Sequence, residues 1–230
     1  GIDLNAGHIV NASEMAADAA LSNVTFREES FRDAAELDDA TLPPVDYIAL
    51  HSIISWIPES NIEAIQRFIE RKLKSGGIVY ISYNSMPGWA ELHPVRQLFY
   101  EYTKRATGRS DERIGRAADW ASQMRQANLA FFDVNPSAKD RMDEMLSKSA
   151  SYLVHEYLHD SWTLFYITEV VELMEKAKVN FVSPANAVET FGDMYVSKEV
   201  MGRVREAPDR PLAERGPVRG PAVAARGPRA

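Results

Sequence analysis

The 230-residue sequence contains no cysteine. This excludes a disulfide framework, a thiolate nucleophile and a zinc–thiolate site. No apolar run approaches the roughly 20 residues of a membrane span, and no charged segment followed by an apolar one opens the chain as a secretory signal would. The first residue is Gly1, not methionine, and it lies within what reads as a strand end, so the N-terminus reads as truncated. These absences fit a cytoplasmic, bacterial-type protein with no membrane partner. A net charge of −7 excludes a generic polyanion binder, so no nucleic-acid partner is expected. Nothing in the sequence sets the oligomeric state.

What is present is an alternation of strand and helix signals. Gly1–Asn5 reads as a strand end, with Asn5 placed to cap the next helix through its side-chain oxygen. Ile9, Ala12, Ala16, Ala20 and Leu21 recur at helical spacing until Asn23. Val24–Phe26 reads as a short strand, and an acidic loop runs on to Pro43-Pro44. Tyr47–Leu50 is a continuous apolar run, the pattern of a parallel strand buried on both faces. Ile62, Ile65, Ile69 and Leu73 mark one face of an amphipathic helix that Gly76-Gly77 is expected to stop. Ile78–Tyr83 is a further strand. Such alternation predicts a parallel sheet with helical crossovers.

From about Pro94 to Lys148 strand signals vanish and helical spacing persists, in three segments around Leu98–Arg105, Trp120–Ala127 and Met142–Leu146. Tyr152–Leu158 is patterned again, in a form open to either helix or half-buried strand. Thr168–Ala177 then reads as a helix capped by Thr168, with Glu169 and Lys176 complementing its dipole. Asn180–Val182 reads as a strand. After about Glu206 the composition turns to repeated Arg-Gly-Pro, which cannot bury a core and is expected to be disordered.

An acidic strand end (Asp3), a helix, a short strand followed by Ser30-Phe31, a buried strand opened by Asp46, and a helix–LKSGG–strand succession from Leu73 to Tyr83 resemble the class I S-adenosylmethionine-dependent methyltransferases. The stretches DYIALHSIISWI, VYISYNSMPGW and YLVHEYLHDSWTLFYITEVVELMEKAKVNFV more closely resemble the bacterial members that carry a methyltransferase regulatory domain. The resemblance implies an α/β fold: a doubly wound Rossmann-like methyltransferase sheet lacking its first strand, with an all-α insertion. Residues 1–92 would form a partial methyltransferase core. Residues 93–183 would form the regulatory domain, with a helical insertion at 93–150 and a return to the core at 151–183, and residues 184–230 would be a tail. The family's first strand and Gly-x-Gly-x-Gly loop have no counterpart in the sequence. That strand lies mid-sheet in the family, so an open seam is expected. Because backbone must approach the cofactor closely at that loop, the 230 residues alone are expected to bind it weakly or not at all.

The implied cofactor is S-adenosyl-L-methionine, and the implied reaction is methyl transfer to a nucleophilic acceptor, protein lysine among the candidates. By resemblance, Asp3 would accept the ribose hydroxyls, Phe31 would stack on the adenine and Ser30 would hydrogen-bond its edge. His51, with Ser52 and Trp56 nearby, and Tyr83 and Asn84 follow strand ends on the acceptor side. His51 is a candidate base, and Tyr83 and Asn84 are candidates to position an amine. No metal is implied. Two other readings stand beside this one. A chain without the glycine loop could serve as a non-catalytic interaction fragment. His155-Glu156-x-x-His159 also matches the spacing of zinc hydrolases, with Glu172, Glu175 or Glu189 as a third ligand, provided that a helix puts both histidines on one face.

Overall fold

The computed structural model describes residues 1–127, 129–186, 197–206 and 222–226. They divide into two compact units: Gly1–Tyr83 with Ile167–Ala230, and Asn84–Tyr166.

The first unit is α/β. It contains β1 (Ile2–Asp3), α1 (Ala6–Asp18), β2 (Arg27–Glu28), α2 (Phe31–Glu36), β3 (Val45–Leu50), α3 (Glu59–Lys72) and β4 (Leu73–Ile81). Both β1–β2 and β3–β4 pair in parallel. The strands fall into two sheets, β1-β2 and β3-β4-β6-β5, where β5 is Val179–Pro184 and β6 is Ala222–Arg226. The parallel strands therefore fall into two separate sheets among the described residues, in keeping with the expected open seam. The second strand lies at Arg27–Glu28 rather than Val24–Phe26, because the backbone of Arg27 donates to Gly1 and that of Glu29 to Asp3, which fixes the register of this short pair.

The β3–β4 pair alternates instead of being buried on both faces. Ile48 and Leu50 are buried, as are their register partners Val79 and Ile81; Tyr47 and Ile78, also partners, are exposed. An apolar run thus needs two covering layers, and only one face of this pair has one among the described residues. Ile62, Ile65 and Ile69 of α3 are all buried, each contributing about 1.5–3 kcal/mol of transfer free energy.

Gly76-Gly77 does not stop α3. The helix ends at Lys72 and β4 begins at Leu73, so the glycines lie inside the strand, where the β3–β4 register shifts. Gly76 has φ +78. A Cβ on Gly77 would meet the carbonyl oxygens of Lys74 at 2.9 Å and Asp46 at 3.0 Å. Their role is an irregularity that only a residue without a side chain fits. At the end of α3, the buried Lys72 ammonium donates to Asp39 and to the Leu42 carbonyl, both at 2.9 Å.

β6 lies between β4 and β5 and is antiparallel to both. Five residues of the tail expected to be disordered thus form a strand, because two strand edges supply backbone partners that composition does not reveal. The remaining tail residues past Glu206 lie outside the described residues. α9 (Ile167–Lys176) starts one residue earlier than predicted, so Thr168 sits within its first turn rather than capping it. The polar α10 (Lys198–Arg205) follows later in the chain.

The second unit is helical: α4 (His93–Arg105), α5 (Ser110–Gln126), α6 (Ala130–Val134), α7 (Pro136–Leu146) and α8 (Ala150–Tyr157). Its core gathers Val95, Phe99, Ile114, Met142, Leu153 and Tyr157, with Ala117 and Ala121 letting helices approach closely on α5. Leu153 and Tyr157 pack in this core, so α8 belongs to the helical unit, which reaches Tyr166 rather than stopping at residue 150. The patterned stretch 152–158 is helix as far as Tyr157, not strand.

Candidate functional site

The candidate residues of the first unit follow the C-terminal ends of parallel strands, the edge where open α/β sheets bind ligands. Asp3 ends β1. Its Oδ1 accepts the Asn5 backbone N–H at 2.8 Å, and its Oδ2 lies 3.1 Å from Nδ1 of His8. Burial raises its pKa, but the hydrogen bonds from Asn5 and His8 outweigh it and leave the carboxyl below its ordinary value. A carboxylate offers about four lone-pair sites. Asp3 therefore tethers the start of α1, with Asn5 capping that helix through Gly7 as expected, and still has acceptor capacity.

Ser30 follows β2 and caps α2. Its Oγ accepts from the Asp33 backbone at 3.0 Å and donates to the Asp33 carboxylate at 2.6 Å. The hydroxyl proton is committed to Asp33, so toward another ligand Ser30 offers an acceptor. Phe31, the first residue of α2, is half-buried.

His51 follows β3 and is exposed. Its ring is parallel to that of Tyr80, with centroids 6.2 Å apart and an interplanar angle of 9°. Its Nδ1 lies 3.1 Å from the Ser82 hydroxyl. The same Ser82 oxygen accepts the Ser52 backbone N–H at 2.7 Å, while the Ser82 backbone donates to Leu50 at 3.0 Å. Ser82 thus ties the end of β3 to the end of β4 and orients the imidazole. Sequence reasoning passed over it, and only its place between Tyr80 and Tyr83 on a strand end could have marked it. Ser52 sits at φ +53, a strained conformation for a residue with a side chain. Tyr83 is buried, and burial pushes its hydroxyl pKa up.

Asn84 opens the helical unit and is buried. Its carbonyl accepts from Phe165 at 3.1 Å. Glu156 belongs to the motif read as a zinc site. α8 ends at Tyr157, so His159 lies beyond the helix, and the two histidine rings meet edge-on with centroids 5.6 Å apart. Among the described residues, no group of three or more His, Cys, Asp or Glu side chains is placed to hold a metal ion. Glu189 lies outside the described residues. The geometry carries the zinc reading no further. No helix of the described residues is long and apolar enough to cross a membrane.

Residues 149–215 match the family described as "Predicted methyltransferase regulatory domain", a range that runs past residue 183. An uncharacterised protein of Synechocystis is 36% identical over 212 residues, covering 92% of this chain and 41% of that protein. An uncharacterised protein of Rickettsia prowazekii is 27% identical over 197 residues, covering 81% and 33%. The chain therefore spans less than half the length of these two relatives. PKMT2 from Rickettsia typhi, solved in complex with AdoHcy, matches with a TM-score of 0.73 at 18% identity, over 98% of this chain and 44% of that one. A second PKMT2 structure gives 0.71, over 98% and 43%. At this identity the likeness is one of fold.

The split parallel sheet, its strand-end residues and these matches define a class I methyltransferase fold of the Rossmann-like type. Within that fold, the family match over residues 149–215 is to a methyltransferase regulatory domain.

Proposed function

We propose that the protein transfers a methyl group from S-adenosyl-L-methionine to a nucleophilic acceptor, with the side-chain amine of a protein lysine as the favoured class. The observation that carries this reading is Asp3, an ionised, acceptor-only carboxylate at the end of a parallel strand in a fold shared with an AdoHcy-bound methyltransferase. In this reading Asp3 takes the ribose hydroxyls, Phe31 covers one face of the adenine and Ser30 accepts a hydrogen bond from its edge. When bound, S-adenosyl-L-methionine supplies a methyl group on a sulfonium, which an in-line nucleophile displaces as the S–C electron pair returns to sulfur.

The chain's own residues then have to align and deprotonate the acceptor, since such displacements depend mostly on orientation and desolvation. His51, held by Ser82, would take a proton from an incoming ammonium; Tyr83 and Asn84 would position the amine.

The test is methyl transfer from labelled S-adenosyl-L-methionine to lysine-containing protein, with cofactor binding followed by calorimetry on the full-length protein. Asp3→Ala should weaken binding by about tenfold or more, as expected for losing charged hydrogen bonds of about 1.5–3 kcal/mol. Unchanged binding would remove Asp3 from the cofactor site, and no transfer to any lysine would remove the acceptor class.

A further inference from the structure

The ends of β3 and β4 meet through one buried hydroxyl, that of Ser82. Its Oγ accepts the Ser52 backbone N–H at 2.7 Å, and lies 3.1 Å from Nδ1 of His51 and 3.4 Å from the Ser52 hydroxyl. A serine hydroxyl has one proton to give and two lone pairs to receive with. The Ser52 N–H takes one lone pair. One lone pair and one proton remain, facing Nδ1 and the Ser52 hydroxyl. The other ring nitrogen, Nε2, has no hydrogen-bond partner among the described residues, and His51 is exposed. Among the described residues no carboxylate forms an ion pair with His51, so the group that holds the ring is neutral. Tyr80 is the titratable group facing it, with its ring stacked on the imidazole and its hydroxyl 3.5 Å from Nδ1.

We propose that Ser82 is a positioning residue that selects the tautomer of His51: its oxygen accepts from Nδ1–H, its own proton turns to the Ser52 hydroxyl, and the lone pair of Nε2 faces outward as the base. This rests on the reading of His51 as the base on the acceptor side. Two arrangements satisfy the hydroxyl when the ring is neutral. In one, Ser82 donates to Nδ1 and the ring proton sits on Nε2, which then cannot accept. In the other, Nδ1–H donates to Ser82 and Nε2 is free to accept. Only the second survives protonation of the ring, because an imidazolium donates from both nitrogens. A base that gains and loses a proton without any rotation of the hydroxyl behind it is preorganised for the transfer. The Ser52 hydroxyl gives the Ser82 proton an acceptor away from the ring.

The backbone supports this arrangement. Ser52 is held at φ +53, and strain of this kind persists only where the surroundings over-determine it, as they do at functional sites. In that conformation one residue brings both its N–H and its hydroxyl to the same Ser82 oxygen. The chemical step moves one proton. An ammonium R–NH3+ gives it to Nε2, leaving a neutral amine and an imidazolium. The amine lone pair forms the new N–C bond as the S–C pair returns to sulfur, and the imidazolium then releases its proton to solvent.

The experiment reads the His51 tautomer by nitrogen NMR of the full-length protein carrying labelled histidine, with the ring resonances assigned through His51→Gln, alongside methyl-transfer kinetics. At alkaline pH, where the ring is neutral, wild type should carry the proton on Nδ1 and none on Nε2. Ser82→Ala should move the proton toward Nε2 and lower kcat by about tenfold or more, with the KM for S-adenosyl-L-methionine unchanged. Ser82→Thr keeps the hydroxyl and should restore both. Ser52→Gly separates positioning from stability. Glycine suits φ +53, so this variant should unfold at the same or a higher temperature. Loss of the Ser52 hydroxyl should nonetheless turn the Ser82 proton back to Nδ1, shift the ring toward Nε2–H and lower kcat. Nε2–H in wild type, a tautomer indifferent to both serines, or wild-type kcat in Ser82→Ala would overturn the proposal. A wild type that carries Nδ1–H but methylates no acceptor would overturn the functional reading and leave the Ser82–His51 arrangement standing.

Discussion

The two units use apolar residues differently. In the helical unit, residues at helical spacing converge on a closed core, and Phe99, Ile114, Ala117, Ala121 and Met142 are fully buried. In the α/β unit, α1 has similar spacing but buries only Ala16, and Val10 and Met15 are 56% and 64% exposed. Leu4 and Tyr47 are exposed as well. The spacing of apolar residues states which side chains could be buried together; which ones are depends on whether another layer lies against them. The largest expected effect separates the units on this ground. Phe99→Ala should cost about 3–5 kcal/mol, as for other fully buried aromatics, while Met15→Ala should stay within about 0.5 kcal/mol. Chemical denaturation of both variants measures the contrast. A large loss for Met15→Ala would show that α1 is covered in solution.

A smaller effect, in the α/β unit alone, comes from backbone rather than burial. A Cβ on Gly77 would press on two carbonyl oxygens and on Leu73 Cδ1 at 2.8 Å, and backbone oxygens at a strand irregularity have little room to yield. Gly77→Ala should therefore destabilise by about 1–3 kcal/mol. At Gly115 of α5 an added Cβ meets nothing within 4 Å, and the same substitution there should be neutral or stabilising, since alanine favours helix by about 1 kcal/mol. Thermal unfolding of the two variants should move in opposite directions. Equal shifts would mean that the β3–β4 irregularity relaxes freely.

The same contrast sets how much could be read from sequence. α3, β3, β4, α9 and the Asn5 cap were legible, because periodicity, turn residues and capping are local signals. The split of the sheet was legible through the resemblance. The single-faced burial of β3 was not, because a continuous apolar run does not state how many layers cover it. β6 was hidden because its alanine-rich residues have no strand preference, and their partners β4 and β5 are far away in sequence. At the candidate site, Asp3, Ser30 and His51 were singled out through the resemblance, and each lies at or just past a strand end. Ser82 was missed because its importance lies in bridging two strand ends.

The smallest expected effect concerns Asp3 and its dependence on pH. Burial raises its pKa, but the Asn5 and His8 hydrogen bonds win, so the folded value lies below the unfolded one. A carboxylate with a depressed folded pKa adds stability that is fully present above its unfolded value of about 3.9 and is lost as pH falls through the folded value. Its side chain is 47% exposed, so solvent screens the His8 contact and the contribution is modest. Asp3→Asn keeps an acceptor for the Asn5 N–H but removes the charge. Wild type should therefore be slightly more stable than Asp3→Asn at neutral pH, and the difference should close below about pH 4. Thermal unfolding across that range checks it. A difference that persists at acid pH would mean that shape rather than charge holds the β1 end. A difference that closes would show an ionised carboxylate throughout the neutral range, which is the state that accepting two ribose hydroxyls requires.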